Sequence, residues 1–287
     1  MDANTNLNDR RLADAWAELH NFAVEGNPLE RDSYRLAFAD PEFMLRRETR
    51  GIRFQLELLK PDLEMAEQGV ESTVVVYGSA RMLAPEDAQK QLDEAIASGD
   101  EERIRRGELA VKNSYYYDQA RLFARIVAEF SQPRAQKDRI YICTGGGPGI
   151  MEAANRGAHE VGALNVGLNI TLPHEQSGNK YISPSLCFKF HYFALRKMHF
   201  LMRAKALVAF PGGFGTLDEL FEVLTLVQTG KAKALPIILF GSEFWKKLIN
   251  FDALVEQGTI SANDLKLFTY VDDPAEAWKQ IKDFYKL

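Results

Sequence analysis

Apolar residues follow two different rhythms along this chain. Up to about residue 70 they recur at helical spacing: Leu12, Trp16, Leu19 and Ala23 form one series, Phe54, Leu58 and Met65 another. Pro61 falls inside the second series and is expected to interrupt it. From Ser72 onward, short continuous apolar runs take over, at residues 73–77, 140–143, 163–170, 186–190, 206–210, 236–240 and 267–271. Between them lie helix-patterned segments at 117–130, 149–161, 192–203, 217–228, 243–257 and 274–284. Continuous apolar strands alternating with helices predict a parallel sheet covered on both faces.

The expected fold is therefore α/β, a Rossmann-like doubly wound parallel sheet over residues 71–287, preceded by an N-terminal helical extension over 1–70. Residues 82–113 break the rhythm. They are charged and helix-prone (Asp93-Glu94, Asp100-Glu101-Glu102, Arg105-Arg106) and read as a helical insertion near the rim of the site, with solvated charges. In such a sheet, ligands bind beyond the carboxyl ends of the strands.

Composition narrows the function classes. A chain of 287 residues with 46% hydrophobic and 26% charged content is ordinary for a globular protein. A net charge of −5 offers no basic footprint for nucleic acid. The longest apolar runs fall short of a membrane helix, and residues 1–11 lack the apolar core of a secretory signal, so a cytoplasmic protein without membrane partners is expected. Cys143 and Cys187, each in an apolar run, are expected to be buried and reduced. His159, His174 and His191 have no cysteine or carboxylate at metal-ligand spacing, so no metal is expected. No G-x-S-x-G elbow is present to indicate a serine hydrolase.

Chemistry concentrates at three strand ends. Ala206–Phe210 runs into Pro211-Gly212-Gly213-Phe214-Gly215-Thr216-Leu217-Asp218-Glu219, a glycine-rich turn opening a helix. Unpaired N–H groups and the helix dipole make such a turn a phosphate cradle. The run ending at Thr144 leads into a second, Gly145-Gly146-Gly147-Pro148-Gly149, whose successive glycines leave the amides unobstructed. Its spacing is not the dinucleotide fingerprint, since Ile150 stands where the last glycine belongs and Asn169 where the acidic residue would close the next strand. After the first strand, Gly78 permits close backbone approach, and Ser79 and Arg81 can donate to an oxyanion or a ribose hydroxyl.

Glu219 has two readings. Thr216-Leu217-Asp218-Glu219 fits a capping box, in which Glu219 bonds the Thr216 backbone amide. A carboxylate beside a phosphate turn can instead steer water or stabilise positive charge at an anomeric carbon. In the preceding helix, Leu195, Met198 and Met202 are expected to form the buried stripe, while Arg196, His199 and Arg203 share another face. Arg196-Lys197, just before the glycine-rich strand end, could supply positive charge to a phosphate or a departing base.

Thr144–Met151, Arg196-Lys197 and the P-G-G-x-G-T-x-x-E run at 211–219 together resemble the LOG ("lonely guy") family of cytokinin riboside 5′-monophosphate phosphoribohydrolases, over roughly residues 72–285. The resemblance implies hydrolysis of the N-glycosidic bond of a nucleoside 5′-monophosphate, with Arg196 and Glu219 as the catalytic pair. It implies that Gly212, Gly213, Gly215 and Thr216 hold the phosphate end, and that Lys197, Asp218 and Glu175 contact substrate. Gly78, Ser79, Gly145, Gly146 and Gly147 complete the expected binding set. It further implies no cofactor, and a homodimer or larger homo-oligomer with the site near the subunit interface. The helical N-terminus and the 82–113 insertion are absent from short plant-like members, leaving AMP and prenylated adenine nucleotides both open as substrates. The competing reading is a non-catalytic nucleotide or molybdenum-cofactor carrier, which resembles this fold. A pyridoxal-phosphate decarboxylase would need a Schiff-base lysine with an acidic partner for the pyridine nitrogen, and no such pair stands out.

Overall fold

The computed structural model describes residues 36–172 and 177–287; expectations at 1–35 and at Glu175 lie outside them. Two compact units divide at Glu57 and Leu58. In the first, Asp40 caps the short turn Pro41–Met44 by accepting from Glu42 and Phe43 N–H groups. The second, residues 58–287, contains the sheet.

Seven parallel strands make up that sheet: β1 Thr73–Tyr77, β2 Tyr141–Thr144, β3 Asn165–Ile170, β4 Cys187–Phe190, β5 Ala204–Ala209, β6 Ile237–Phe240 and β7 Thr269–Val271. Their order is β4-β3-β2-β1-β5-β6-β7. All seven apolar runs thus become strands, and the doubly wound parallel sheet is present. Every residue of β1 is buried, because both faces are covered. Val75, Tyr77, Cys143, Leu168 and Leu207 face one core, and Val74, Val76, Ile142, Ala206 and Val208 face the other, as a period of two requires. The chain winds outward from β1 to β4, then returns to place β5 on the other side of β1. That reversal opens a crevice between the carboxyl ends of β1 and β5.

Helix α1 runs Arg50–Glu67 straight through Pro61, where an interruption was expected. Proline sacrifices one ladder bond, but its ring is buried and the helix continues to Met65 in the core. The charged 82–113 stretch builds α2 (Pro85–Ser98) and the first part of α3 (Glu101–Ser131), the crossover helix from β1 to β2. Gly99, at φ 67°, ends α2, and Asp100 caps α3 by accepting from Glu102 and Arg103 N–H groups. Gly107 lets the two helices touch, since a β-carbon there would lie 2.9 Å from the Leu92 backbone.

The remaining helices are α4 Ile150–Glu160, α5 Phe193–Met202, α6 Phe214–Gln228, α7 Ser242–Leu248, α8 Phe251–Glu256 and α9 Pro274–Tyr285. The segment expected to be one helix at 243–257 is two, because the Asn250 side chain caps α8. Cys143 is buried as expected. Cys187 is exposed instead, because β4 is an edge strand whose alternate residues face outward. Among the described residues no helix is long and apolar enough to cross a membrane.

Candidate active site at the switch point

The three glycine-bearing strand ends meet where the strand order reverses. Phe210 N–H donates to the Tyr77 carbonyl at 2.8 Å and Ser79 N–H to the Pro211 carbonyl at 3.0 Å, so β1 and β5 stay paired as they enter their turns. Gly78 has no room for a β-carbon, which would lie 2.6 Å from the Ile150 side chain. Its role is to let α4 approach β1. The Ser79 carbonyl accepts from Ile150 N–H, and its hydroxyl accepts from Arg81 N–H at 3.1 Å.

The Gly145–Gly149 turn is less open than its glycines imply. Gly146 N–H is already donated to the Thr144 hydroxyl at 2.9 Å. Gly149, at φ 73°, lies where a β-carbon would sit 2.3 Å from the Ser79 carbonyl oxygen, so a close backbone crossing requires glycine there.

The turn after β5 is different. Gly213 occupies the cap position of α6 and no side chain caps that helix. Thr216 is the third helical residue, not the cap, so the capping-box reading of Glu219 fails. The buried Thr216 hydroxyl instead fills the space beside Gly212, where a β-carbon would come within 2.1 Å of it. Gly213 and Gly215 have no atom within 4 Å of a β-carbon position. The first turn of α6 carries no acidic residue, so its N–H groups and dipole face outward unopposed.

Glu219, in the second turn of α6, accepts from Arg196 Nη1 at 3.2 Å, and both side chains are largely buried. Arg196 Nε donates to the Leu168 carbonyl of β3 at 2.7 Å, and its guanidinium lies 5.0 Å from the Phe200 ring centre. Nη2 sits so close to Gly145 that a β-carbon there would approach to 2.4 Å. One arginine therefore joins β3, α6 and the first glycine turn. Burial pushes the Glu219 carboxyl up to about 7, outweighing the opposing pull of Arg196, while Asp218 and Glu222 add to the rise. Burial, with Glu219 next in importance, holds the nearby Tyr77 phenol well above its ordinary range.

Of the expected buried stripe on α5, Leu195 is buried but the two methionines are not. Met198 and Met202 are each 49% exposed, whereas Arg196 and His199 are buried beside Leu195 and Phe200. Long-range partners for the guanidinium overrule the hydrophobic pattern. Lys197 lies on the rim, bridging Asp218 and Glu222 at 2.8 and 3.0 Å. Burial would lower its ammonium, but those two carboxylates hold it above its usual value.

Sequence reasoning missed Asn155 and Asn179. Asn155 is fully buried on the face of α4 that carries Ile150, Ala153, Ala154 and Ala158. A polar residue interrupting that apolar face is the signal that could have found it. An open groove of about 570 Å³ lies elsewhere along α5 and α6, lined by Arg203, Lys205, Lys231 and Lys233, and it shares only Lys197 with the expected site residues. Among the described residues no cluster of three His, Cys, Asp or Glu side chains could hold a metal ion.

Fold and site define a doubly wound α/β protein with a buried Arg–Glu pair between two glycine turns at the switch point. A family model described as possible lysine decarboxylase matches residues 151–281. A probable cytokinin riboside 5′-monophosphate phosphoribohydrolase of Oryza sativa subsp. japonica is 26% identical over 157 residues, 54% of this chain and 67% of the relative. A cytokinin riboside 5′-monophosphate phosphoribohydrolase of Arabidopsis thaliana is 28% identical over 143 residues, 49% of this chain and 65% of the relative. The chain thus spans about two thirds of the length of these curated relatives. Among solved structures, the molybdenum cofactor binding protein of Rippkaea orientalis is 17% identical, covering 75% of this chain and 98% of that one, at a TM-score of 0.44. Over its sheet domain the chain is similar to the LOG phosphoribohydrolases.

Proposed function

We propose that this protein hydrolyses the N-glycosidic bond of a purine nucleoside 5′-monophosphate, AMP or a cytokinin-type nucleotide, releasing free base and ribose 5-phosphate. The observation that carries this reading is the buried Arg196–Glu219 pair directly beneath an uncapped helix N-terminus. The phosphate sits on the outward N–H groups of the Gly213–Thr216 turn, which supply positive dipole and no competing carboxylate. Lys197 adds positive charge at the rim.

As the bond from C1′ to the base nitrogen breaks, its electron pair leaves with the base and positive charge grows on the ribose. The Glu219 carboxylate stabilises that charge and takes a proton from the water that bonds to C1′. The departing base accepts a proton in turn. Arg196 is tied to Leu168 and packed against Phe200, so it cannot swing away, and its remaining N–H groups fix the ribose phosphate. With Glu219 titrating near 7, the carboxylate form becomes dominant just above neutrality, and kcat/KM rises through that range.

The test is incubation of purified protein with AMP and with isopentenyladenosine monophosphate, quantifying base and ribose 5-phosphate. Glu219→Ala is expected to lower release by about 10³-fold, typical of losing a positioned acid–base group. Undiminished release by that variant would overturn the assignment. Tight AMP binding without release by the unaltered protein would favour the carrier.

A further inference from the structure

The Gly145–Gly147 turn is braced from behind by side chains the reaction itself does not use. Asn179 donates its backbone N–H to the Gly146 carbonyl at 2.9 Å. Its amide nitrogen also lies 3.2 Å from that carbonyl, 3.0 Å from the Gly147 carbonyl and 2.9 Å from Asn155 Oδ1. Asn155 in turn accepts from the Thr144 hydroxyl at 2.7 Å and donates to Asn165 Oδ1 at 2.8 Å and the Val166 carbonyl at 3.3 Å. Every group that meets the Asn179 amide nitrogen is an acceptor. A donor with two hydrogens is what the position requires.

This brace has a directional consequence. A trans peptide is planar, with its N–H pointing opposite to its carbonyl. Because the Gly146 carbonyl turns inward to Asn179, the Gly147 N–H turns away from the buried network, at the point where the turn reaches the surface. Gly146 N–H is consumed by Thr144 and Pro148 has none to give. Gly147 N–H meets no acceptor among the described residues, and its turn adjoins the Arg196 guanidinium through Gly145.

We infer that Asn179 is a positioning residue that holds the Gly147 N–H toward the cleft as a donor to an oxygen of the ribose phosphate, with Asn155 as its anchor. This rests on the ribose-phosphate reading above. Asn179 touches no reacting atom; it acts by orienting a peptide. Its identity is chemically specific, since the isosteric aspartate would set a carboxylate against three acceptor oxygens.

The experiment compares Asn179→Ala and Asn179→Asp with the unaltered protein, by calorimetric binding of ribose 5-phosphate and AMP, by kcat and KM for AMP, and by Tm. Both variants are expected to bind either ligand about tenfold more weakly, the loss of one good hydrogen bond, with KM raised more than kcat is lowered. Protonating the introduced carboxyl group restores a donor, so relative to the unaltered protein Asn179→Asp recovers binding between about pH 7 and about pH 5 while Asn179→Ala does not. Binding within twofold of the unaltered protein overturns the inference. So does loss that follows Tm alone with no recovery at low pH, and so does failure of the unaltered protein to bind either ligand. If AMP binds in an Asn179-dependent way but is not cleaved, the hydrolase reading falls and this inference stands.

Discussion

The two glycine-rich turns look alike in sequence and behave differently in the fold. The turn after β2 is filled from below: the Arg196 guanidinium lies against Gly145, the Asn169 side chain occupies the space beside Gly146, and Asn179 holds two of its carbonyls. The turn after β5 is empty above Gly213 and Gly215, and Phe214 between them is 92% exposed. Glycine serves opposite purposes in the two. In the first it makes room for the protein's own atoms; at Gly213 and Gly215 of the second it leaves room for something else. A rigid wall facing an open cradle, with the Arg196–Glu219 pair beneath, can grip one end of a substrate without reorganising the other.

The contrast breaks most visibly at Gly145. Gly145→Ala places a β-carbon where Arg196 Nη2 now sits, and displacing the guanidinium is expected to cost about 100-fold in AMP hydrolysis, as misplacement of a positioning group does. Steady-state kinetics beside a thermal melt check this; unchanged kcat/KM would mean the wall is not rigid.

Comparable in size is the pH dependence of stability. The folded-state pKa of Glu219 is raised above its unfolded value, so the fold favours the protonated form. Stability therefore falls as pH rises from about 4.5 to about 7 and is level outside that window, by roughly 3 kcal/mol if burial acts on this group alone. Glu219→Gln removes the slope. Its Tm difference from the unaltered protein should grow in favour of the variant across the window, and a constant difference would show that Arg196 fully offsets the burial.

The smallest effect belongs to the open cradle. Gly215→Ala adds a β-carbon into empty space within α6 and should stabilise the fold by about 0.5 kcal/mol. Chemical denaturation measures it, and a destabilised variant would mean that the space above the turn is not free.

Much of this architecture was readable from residue pattern. The β1 run 73–77 and its counterparts are legible because a strand buried on both faces must be apolar at every position. The two glycine turns are legible because few other residues tolerate such close backbone crossings. The buried face of α5 was not. Met198 and Met202 carry the expected hydrophobic stripe yet face outward, while Arg196 and His199 lie inside. No side-chain hydrogen-bond partner of Arg196 lies within ten residues of it: its guanidinium meets the Leu168 carbonyl 28 positions before it and Glu219 23 positions after it. Glu219 was open for the same kind of reason: its capping-box spacing is local, but the helix begins at Phe214 and hands the carboxylate to a distant guanidinium.

Residue order alone specified the layered sheet, the strand ends at which chemistry collects, and the resemblance to LOG proteins, because each is written in short-range periodicity or in a contiguous motif. Long-range packing was needed to settle which glycines are packed and which are open, that Glu219 faces Arg196, and that Asn155 and Asn179 brace the first turn. Those outcomes depend on which polar groups meet across strands and helices far apart in sequence. A buried charge or amide is tolerated only where the fold delivers its partner.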